Sequence, residues 1–321
     1  MRAVVFPSAG GPEIIQVVER PDPEPGAHQV RVRVAAAGLN RADVLQRRGL
    51  YPAPPGWPAD IPGLEYAGVV ESAGPGVSRW QVGDRVMGLV GGGAFAEYVV
   101  VHEDEALAVP AGISVVHAAA IPEAFLTAWD AMVTRGRLAR GERLLVHAVA
   151  SGVGTAAIQL GRALGAVTLG TSRTAAKLER CRALGLDHAL RTEPAGLDKA
   201  VGEPVHVVLD LLGGPWFAAS LRVLAPRGRL VLLGLIAGSE AHVELGLVLR
   251  KRLEVTGTVM RPRLHAERVP LVAEFAARAL PLFASGALAP VVEEVLPMRE
   301  VAEAHRRMDA NETFGKLVLA W

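Results

Sequence analysis

Cysteine is almost absent from this 321-residue chain. The single thiol, Cys181, excludes an intramolecular disulfide and cannot by itself build a thiolate metal site. An excess of one charge is missing as well. Lys and Arg number 34 against 33 Asp and Glu, and the net charge of +1 gives no long-range attraction to nucleic acid or an anionic membrane. The basic clusters, Arg250-Lys251-Arg252 and Arg261 with Arg263, are short enough to be solvated helix ends and loops. No uncharged apolar run reaches the ~18 residues of a membrane span. No signal peptide is recognised, and there are no internal repeats or low-complexity segments. A cytoplasmic protein with neither membrane nor nucleic acid as partner is expected. No H-E-x-x-H or C-x-x-C accompanies the nine histidines, and no G-x-S-x-G marks a serine nucleophile elbow.

Half of the residues are apolar, enough for a sizeable core in a chain long enough for two domains. The first 121 residues read as mostly β. Ala3–Phe6, Val30–Val34, Glu65–Glu71, Arg85–Leu89 and Ala96–Val101 are short β-rich runs separated by Gly and Pro clusters, as in a barrel-like or Greek-key unit. One helix is expected after Asn40, an N-cap candidate. From about Pro122 the period changes, with a helix through Phe125, Trp129 and Met132. Strands and helices then alternate through Val167–Gly170, Ala175–Leu184, Val205–Leu211, Trp216–Leu224, Arg229–Gly234 and Leu253–Val259. That order predicts βαβ units and a parallel, doubly wound sheet, an α/β fold. A helix follows Pro270. Val291–Val295, Val301–Met308 and Lys316–Trp321 have the texture of the first domain, so the chain is expected to return to it. The expected divisions are 1–121, 122–262 and 263–321.

Gly141–Leu164, GERLLVHAVASGVGTAAIQLGRAL, organises the second domain. The apolar run Leu144–Ala148 has the composition of a strand buried on both faces. Ser151, Gly152, Val153 and Gly154 make a small-residue turn, and a helix opens at Thr155. A glycine turn at a helix N-terminus suits a dinucleotide pyrophosphate, because free N–H groups and the positive end of the dipole face the anion. Val149 and Ser151 replace two glycines of G-x-G-x-x-G, so the turn by itself is equally compatible with an ordinary connection. The end of the second strand is more informative. Gly170-Thr171-Ser172-Arg173, with Lys177 one helical turn on, carries no carboxylate to bind a ribose 2′-hydroxyl. Ser172, Arg173 and Lys177 instead suit a 2′-phosphate, which favours NADP(H) over NAD. Leu211, Leu212 and Gly213, with Gly234 and Leu235, lie where the carboxyl ends of the fourth and fifth strands would edge the crevice.

With Ala148, Ser151 and Gly154 on A-x-x-G-x-x-G positions, HAVASGVGTAAIQLGRALGA resembles the cofactor loop of the medium-chain dehydrogenase/reductase superfamily, in its quinone oxidoreductase branch. GLNRADVLQRRGLYPAPPG, PGLEYAGVVESAGPGV, VGDRVMGL, AAAIPEAFLTAWDAM and the terminal GKLVLAW extend the resemblance over the whole chain. It is similar to the zeta-crystallin-like, NADPH-dependent quinone oxidoreductases, most of all the tumour-protein-inducible subgroup, whose loop also departs from the middle glycine. The resemblance implies a GroES-like catalytic domain built from both chain ends around a Rossmann domain. It also implies dimers or tetramers paired through the cofactor-domain sheets, with Leu253–Val259 as the edge. A homodimer is expected.

Zinc alcohol dehydrogenases of the superfamily take catalytic ligands from a Cys, a His and a second Cys. The matching positions here are Asn40, Leu64 and Glu123. Hydride transfer to a quinone or enone needs little acid assistance, since the incoming charge delocalises onto an oxygen that a hydrogen bond can stabilise. The protein then has to position nicotinamide and acceptor in a dry cleft. By resemblance, Asn40 and Tyr51 are the polar residues beside nicotinamide and acceptor, and Thr127 matches a threonine near the nicotinamide. Equally, Asn40 could be a helix cap, Tyr51 a residue of a Pro-rich loop and Thr127 an ordinary helix threonine. Trp57 and Met260 are candidates for the acceptor pocket. The expected activity is zinc-independent NADPH:quinone oxidoreduction. The alternatives are reduction of 2-alkenals or enoyl compounds, with Tyr51 as proton donor, and a non-enzymatic, zeta-crystallin-like RNA-binding role.

Overall fold

In β3 (Gln29–Gly38), Val30, Val32 and Val34 are buried while Arg31 and Arg33 alternate with them toward the outside, the two-residue period of a strand with one face on a core. The computed structural model describes residues 1–321. They divide into two units, 1–126 with 260–321, and 127–259. The limits differ from those expected at 121 and 262, because the first falls inside the helix Pro122–Trp129 rather than ahead of it.

In the first unit, β1 (Arg2–Val5) and β2 (Gln16–Glu19) form an antiparallel ribbon. β3 is followed by the helix Arg41–Arg47, β4 (Glu65–Ala73), β5 (Arg85–Leu89), β6 (Tyr98–His102) and β7 (Ala106–Ala108). β6 begins at Tyr98, later than the apolar run at Ala96 suggests.

The second unit is a six-stranded parallel sheet of β8 (Arg143–Val146), β9 (Val167–Thr171), β10 (His188–Leu190), β11 (Val205–Asp210), β12 (Leu224–Leu232) and β13 (Glu254–Gly257). Its order is β10-β9-β8-β11-β12-β13. Counted from β8 that is 3-2-1-4-5-6, the Rossmann order, with the switch point between β8 and β11. β10, only three residues long, gave no run to detect. The helix Pro122–Trp129 continues as a wider π turn over Asp130–Arg135, where a uniform helix was expected.

The chain then re-enters the first unit through the helix His265–Arg278, which starts ahead of Pro270 and contains it. β14 (Val292–Pro297) pairs with β15 (Lys316–Ala320), and β15 pairs with β3. The sheet reads β14-β15-β3-β4-β5-β7, with β6 also on β3. This is a GroES-like domain completed by the last strands of the chain. No helix is long and apolar enough to cross a membrane.

Each unit encloses a neutral imidazole. In the second, Ser220 donates to the Trp216 carbonyl at 2.7 Å, so its oxygen receives the Nε2–H of His147 at 2.8 Å. Thr171 Oγ1 donates to Nδ1 at 2.9 Å. Burial pushes His147 down to about 3. In the first unit, Arg47 donates to Nδ1 of His305 at 3.1 Å. Burial, helped by that guanidinium, pushes His305 to about 3 too. Both folded values lie below the unfolded 6.5, so this stability is complete above pH 6.5 and is lost as the pH falls toward 3. By pH 5 each imidazole is expected to have withdrawn about 2 kcal/mol. Urea unfolding at pH 7 and pH 5 measures this, and His147→Gln should shrink the difference.

Candidate active site

In the second unit the polar and small residues gather at the carboxyl ends of the strands. β8 runs into His147, and Ala148 takes φ +49°, the left-handed turn that ends the strand. Val149 stands where a fingerprint glycine was missing, and its side chain is buried against Gly170, where a Cβ would come within 2.5 Å of Val149 Cγ2. Gly154 keeps its place because a Cβ there would lie 2.4 Å from the Val149 carbonyl oxygen. Ser151 caps the helix Gly152–Ala163, its Oγ accepting the Gly154 N–H at 3.1 Å. The amides of Gly152 and Val153 stay at the open end of that helix. β9 ends at Thr171. Ser172 Oγ accepts the Thr174 N–H at 3.3 Å, Arg173 is exposed, and Lys177 is half-buried on the helix Ala175–Ala183.

Asp210, at the end of β11, was not singled out from the sequence. Its Oδ1 accepts the N–H groups of Leu212 and Gly213 at 2.9 and 3.0 Å, and its carbonyl accepts that of Leu233 at 2.7 Å. Burial raises the carboxyl above its usual range against the two amides. This one side chain shapes the turn that carries Leu211, which is buried, and Leu212, half-buried. Gly234 passes so close that a Cβ would meet the Leu211 carbonyl at 2.8 Å, and Leu235 beside it is exposed. Thr127 is buried, with an Oγ1 that has no hydrogen-bond partner.

In the first unit the site is built around a buried ion pair. Lys316 opens β15 and Glu65 opens β4, strands that flank β3 on either side. Their side chains are 6% and 0% exposed, with Nζ 2.6 Å from Glu65 Oε1. Nζ also donates to Asn40 Oδ1 at 2.6 Å and to the Leu39 carbonyl at 2.8 Å, so its three N–H groups meet three acceptors. Asn40 Nδ2 donates to Glu65 Oε1 at 3.0 Å and to the Gly38 carbonyl at 3.2 Å. Glu65 Oε2 accepts the Glu123 amide at 2.8 Å. Gly38 makes room, since a Cβ there would lie 2.2 Å from Glu65 Oε1. Asn40 thus holds the N-cap position without capping. Asp43 bonds back to the Asn40 N–H at 2.8 Å, while the Asn40 amide belongs to the ion pair.

Tyr51 is not hydrogen-bonded to Asn40. It lies with Arg261, which donates to the carbonyls of Tyr51 and Gly91 at 2.9 and 2.7 Å and to Gln46 Oε1 at 2.7 Å. The guanidinium sits 5.3 Å from the Tyr51 ring centre. Burial raises the Tyr51 phenol, with the negative charge of Glu123 acting in the same direction. Burial, with the neighbouring Glu65 carboxylate, pushes Glu123 up to about 7, and burial alone pushes Asp43 to about 7 against its amide bonds and cations. Leu64 and Met260 line a small cavity with Glu123 and Arg261. Trp57 packs over Gly91, where a Cβ would come within 2.4 Å of its ring, and under Arg268.

Residues 26–111 match the alcohol dehydrogenase GroES-like domain, and 152–278 match the zinc-binding dehydrogenase family. The quinone oxidoreductase of Pseudomonas aeruginosa is 35% identical over 99% of both chains. The chain belongs to the medium-chain dehydrogenase/reductase superfamily. The human synaptic vesicle membrane protein VAT-1 homolog is 32% identical over 99% of this chain and 86% of its own. Among solved structures, Escherichia coli quinone oxidoreductase complexed with NADPH is 31% identical, with a TM-score of 0.89 and 100% of both chains covered. CurK enoyl reductase is 29% identical, with a TM-score of 0.86 over 99% of this chain and 98% of its own. As a member of this superfamily the protein is an oxidoreductase.

Sequence reasoning passed over Glu65, Lys316, Asp43 and Gln46. It read Arg261 as a solvated loop residue, whereas the side chain is buried because three acceptors take its N–H groups. Lys316 lies 276 residues from Asn40, so no local spacing joins them. For this medium-chain dehydrogenase/reductase, removing the cation strands a buried carboxylate. Lys316→Met is expected to destabilise the fold by about 3–5 kcal/mol. Lys316→Met with Glu65→Gln should recover much of that, and a double-mutant cycle in urea measures the coupling.

Proposed function

We propose that the protein is an NADPH-dependent, zinc-independent quinone oxidoreductase. The observation that carries this is Lys316 Nζ, which sits as the cation between Glu65 and Asn40. Where zinc alcohol dehydrogenases offer two thiolates and an imidazole, this pocket offers the amide of Asn40, the alkyl chain of Leu64 and the carboxyl of Glu123, with an ammonium already seated. That donor set does not fit a catalytic zinc.

The residues of the second unit fit NADPH. Gly152, Val153 and Gly154 would hold the pyrophosphate at the helix start, and Ser172, Arg173 and Lys177 the 2′-phosphate. Leu211, Leu212, Gly234 and Leu235 would border the nicotinamide half, and the unpaired Thr127 hydroxyl would meet its amide. When bound, the dihydronicotinamide supplies the hydride. Asn40 has both N–H groups engaged and offers a ligand the second lone pair of Oδ1, held in place by Lys316. The Tyr51 phenol stays protonated at neutral pH and stands ready to donate to the acceptor oxygen. Similarity to the NADPH-complexed enzyme supports the same reading. The balanced charge and absence of a membrane-crossing helix support a cytoplasmic protein acting on small molecules without nucleic acid. β13 is a terminal strand of its sheet, with Val255 and Val259 exposed, which supports edge-to-edge pairing into a homodimer.

Enoyl reduction is the second reading, favoured by the two proton-bearing groups Tyr51 and Glu123, because carbon needs a proton donor that a quinone oxygen does not.

Arg173→Ala with Lys177→Ala is expected to raise KM for NADPH roughly 10²-fold and leave that for NADH little changed. Steady-state kinetics with a simple quinone and EDTA-treated protein measures both. An absence of NADPH oxidation with quinones and enones alike would refute the assignment. Tyr51→Phe should leave quinone turnover largely intact while lowering enone turnover roughly 10²–10⁴-fold.

A further inference from the structure

We propose that His102, Asp104 and His265 form a zinc site on the first unit, separate from the Asn40–Glu65–Lys316 cluster. One ligand atom from each residue lies within 4.8 Å of the other two. His102 Nδ1 and Asp104 Oδ2 are 3.5 Å apart. Two ligands at about 2.0–2.1 Å on a tetrahedral zinc stand about 3.4 Å from each other. That edge of the tetrahedron is therefore already in place.

His265 is prepared for a metal by the group behind it. Its Nδ1 is 2.6 Å from Oε1 of Glu105, a side chain 6% exposed that also receives Arg268 at 3.0 Å. A carboxylate on Nδ1 fixes the proton there and leaves the lone pair on Nε2, the outer-shell arrangement of metal-bound histidines. The His265 ring lies 4.2 Å from that of His102. The His102 lone pair at Nδ1 is engaged only by the Asp104 N–H at 3.3 Å, a long bond that a metal would replace. Arg79 holds Asp104 Oδ1 at 2.8 Å, which leaves Oδ2 for the ion.

Two imidazoles and one carboxylate select zinc over calcium or magnesium, which prefer oxygen. The three side chains are 29%, 34% and 46% exposed, so water completes the coordination. The ion would tie the turn after β6 to the start of the helix His265–Arg278, a link within one unit between segments far apart in sequence. Bound zinc would stabilise that unit by mass action.

The test is titration of EDTA-stripped protein with ZnCl2, followed by calorimetry and thermal melting. The expected result is one zinc per chain and a raised Tm, with affinity lowered at least about tenfold in His102→Ala/His265→Ala. His242→Ala, an exposed histidine elsewhere, should bind as the unaltered protein does. Unchanged affinity in the double variant, or no zinc bound by the unaltered protein, would overturn the proposal. Should the double variant fail to fold, Co2+ on the unaltered protein decides. Intense visible bands of four-coordinate cobalt support the site, and the pale spectrum of six-coordinate cobalt refutes it.

Discussion

The buried pair of Lys316 and Glu65 is the constraint on which the first unit depends. An ammonium and a carboxylate removed from water are tolerated only when their remaining hydrogen-bonding capacity is met. Here Leu39, Asn40 and the Glu123 amide meet it. Several other features follow from that requirement. Position 38 must be glycine so that the carboxylate can lie over β3. β15 must lie beside β3, so the GroES-like sheet is incomplete without the last residues of the chain. Asn40 gives up its role as a helix cap, and Asp43 takes over the Asn40 N–H.

In the proposed reaction the same cluster sets the chemistry. A cation fixed at this point neutralises Glu65, and Glu123 and Tyr51 lie in the same unit. Tyr51 and Glu123 both hold their protons more tightly than isolated groups do, and for a shared reason, since each carries charge poorly in a site with little water. An acceptor whose oxygen takes the charge asks less of these groups than one whose carbon must be protonated. In the proposed reaction the pocket therefore bears on the choice between quinone and enone through proton supply.

In the second unit the corresponding constraint is steric. Strand, turn and helix must approach closely after β8, and the spacing is met by a glycine on the neighbouring β9 rather than at position 149. Val149 fills the room that Gly170 leaves, while Gly154 still admits the Val149 backbone. Asp210 does for the turn after β11 what Ser151 does for the helix start, placing an acceptor on otherwise unpaired amides. An altered fingerprint thus produces an unaltered fold.

The sequence by itself determined the two textures, the alternation in β3, the buried run of β8 and the family, because these rest on local periodicity or on motifs that are contiguous in the chain. It also isolated Asn40 and Tyr51, though it left Asn40 between cap and site. Only the tertiary structure showed where the Asn40 side chain is held, by bringing Lys316 Nζ to its Oδ1 across 276 residues. It likewise showed Glu65, next to Leu64, paired with Lys316, and set His265 beside His102 with Glu105 on its Nδ1. Ion pairs and ligand sets of this kind depend on which strands become neighbours. That follows from closure of the whole sheet, and no short stretch of residues records it.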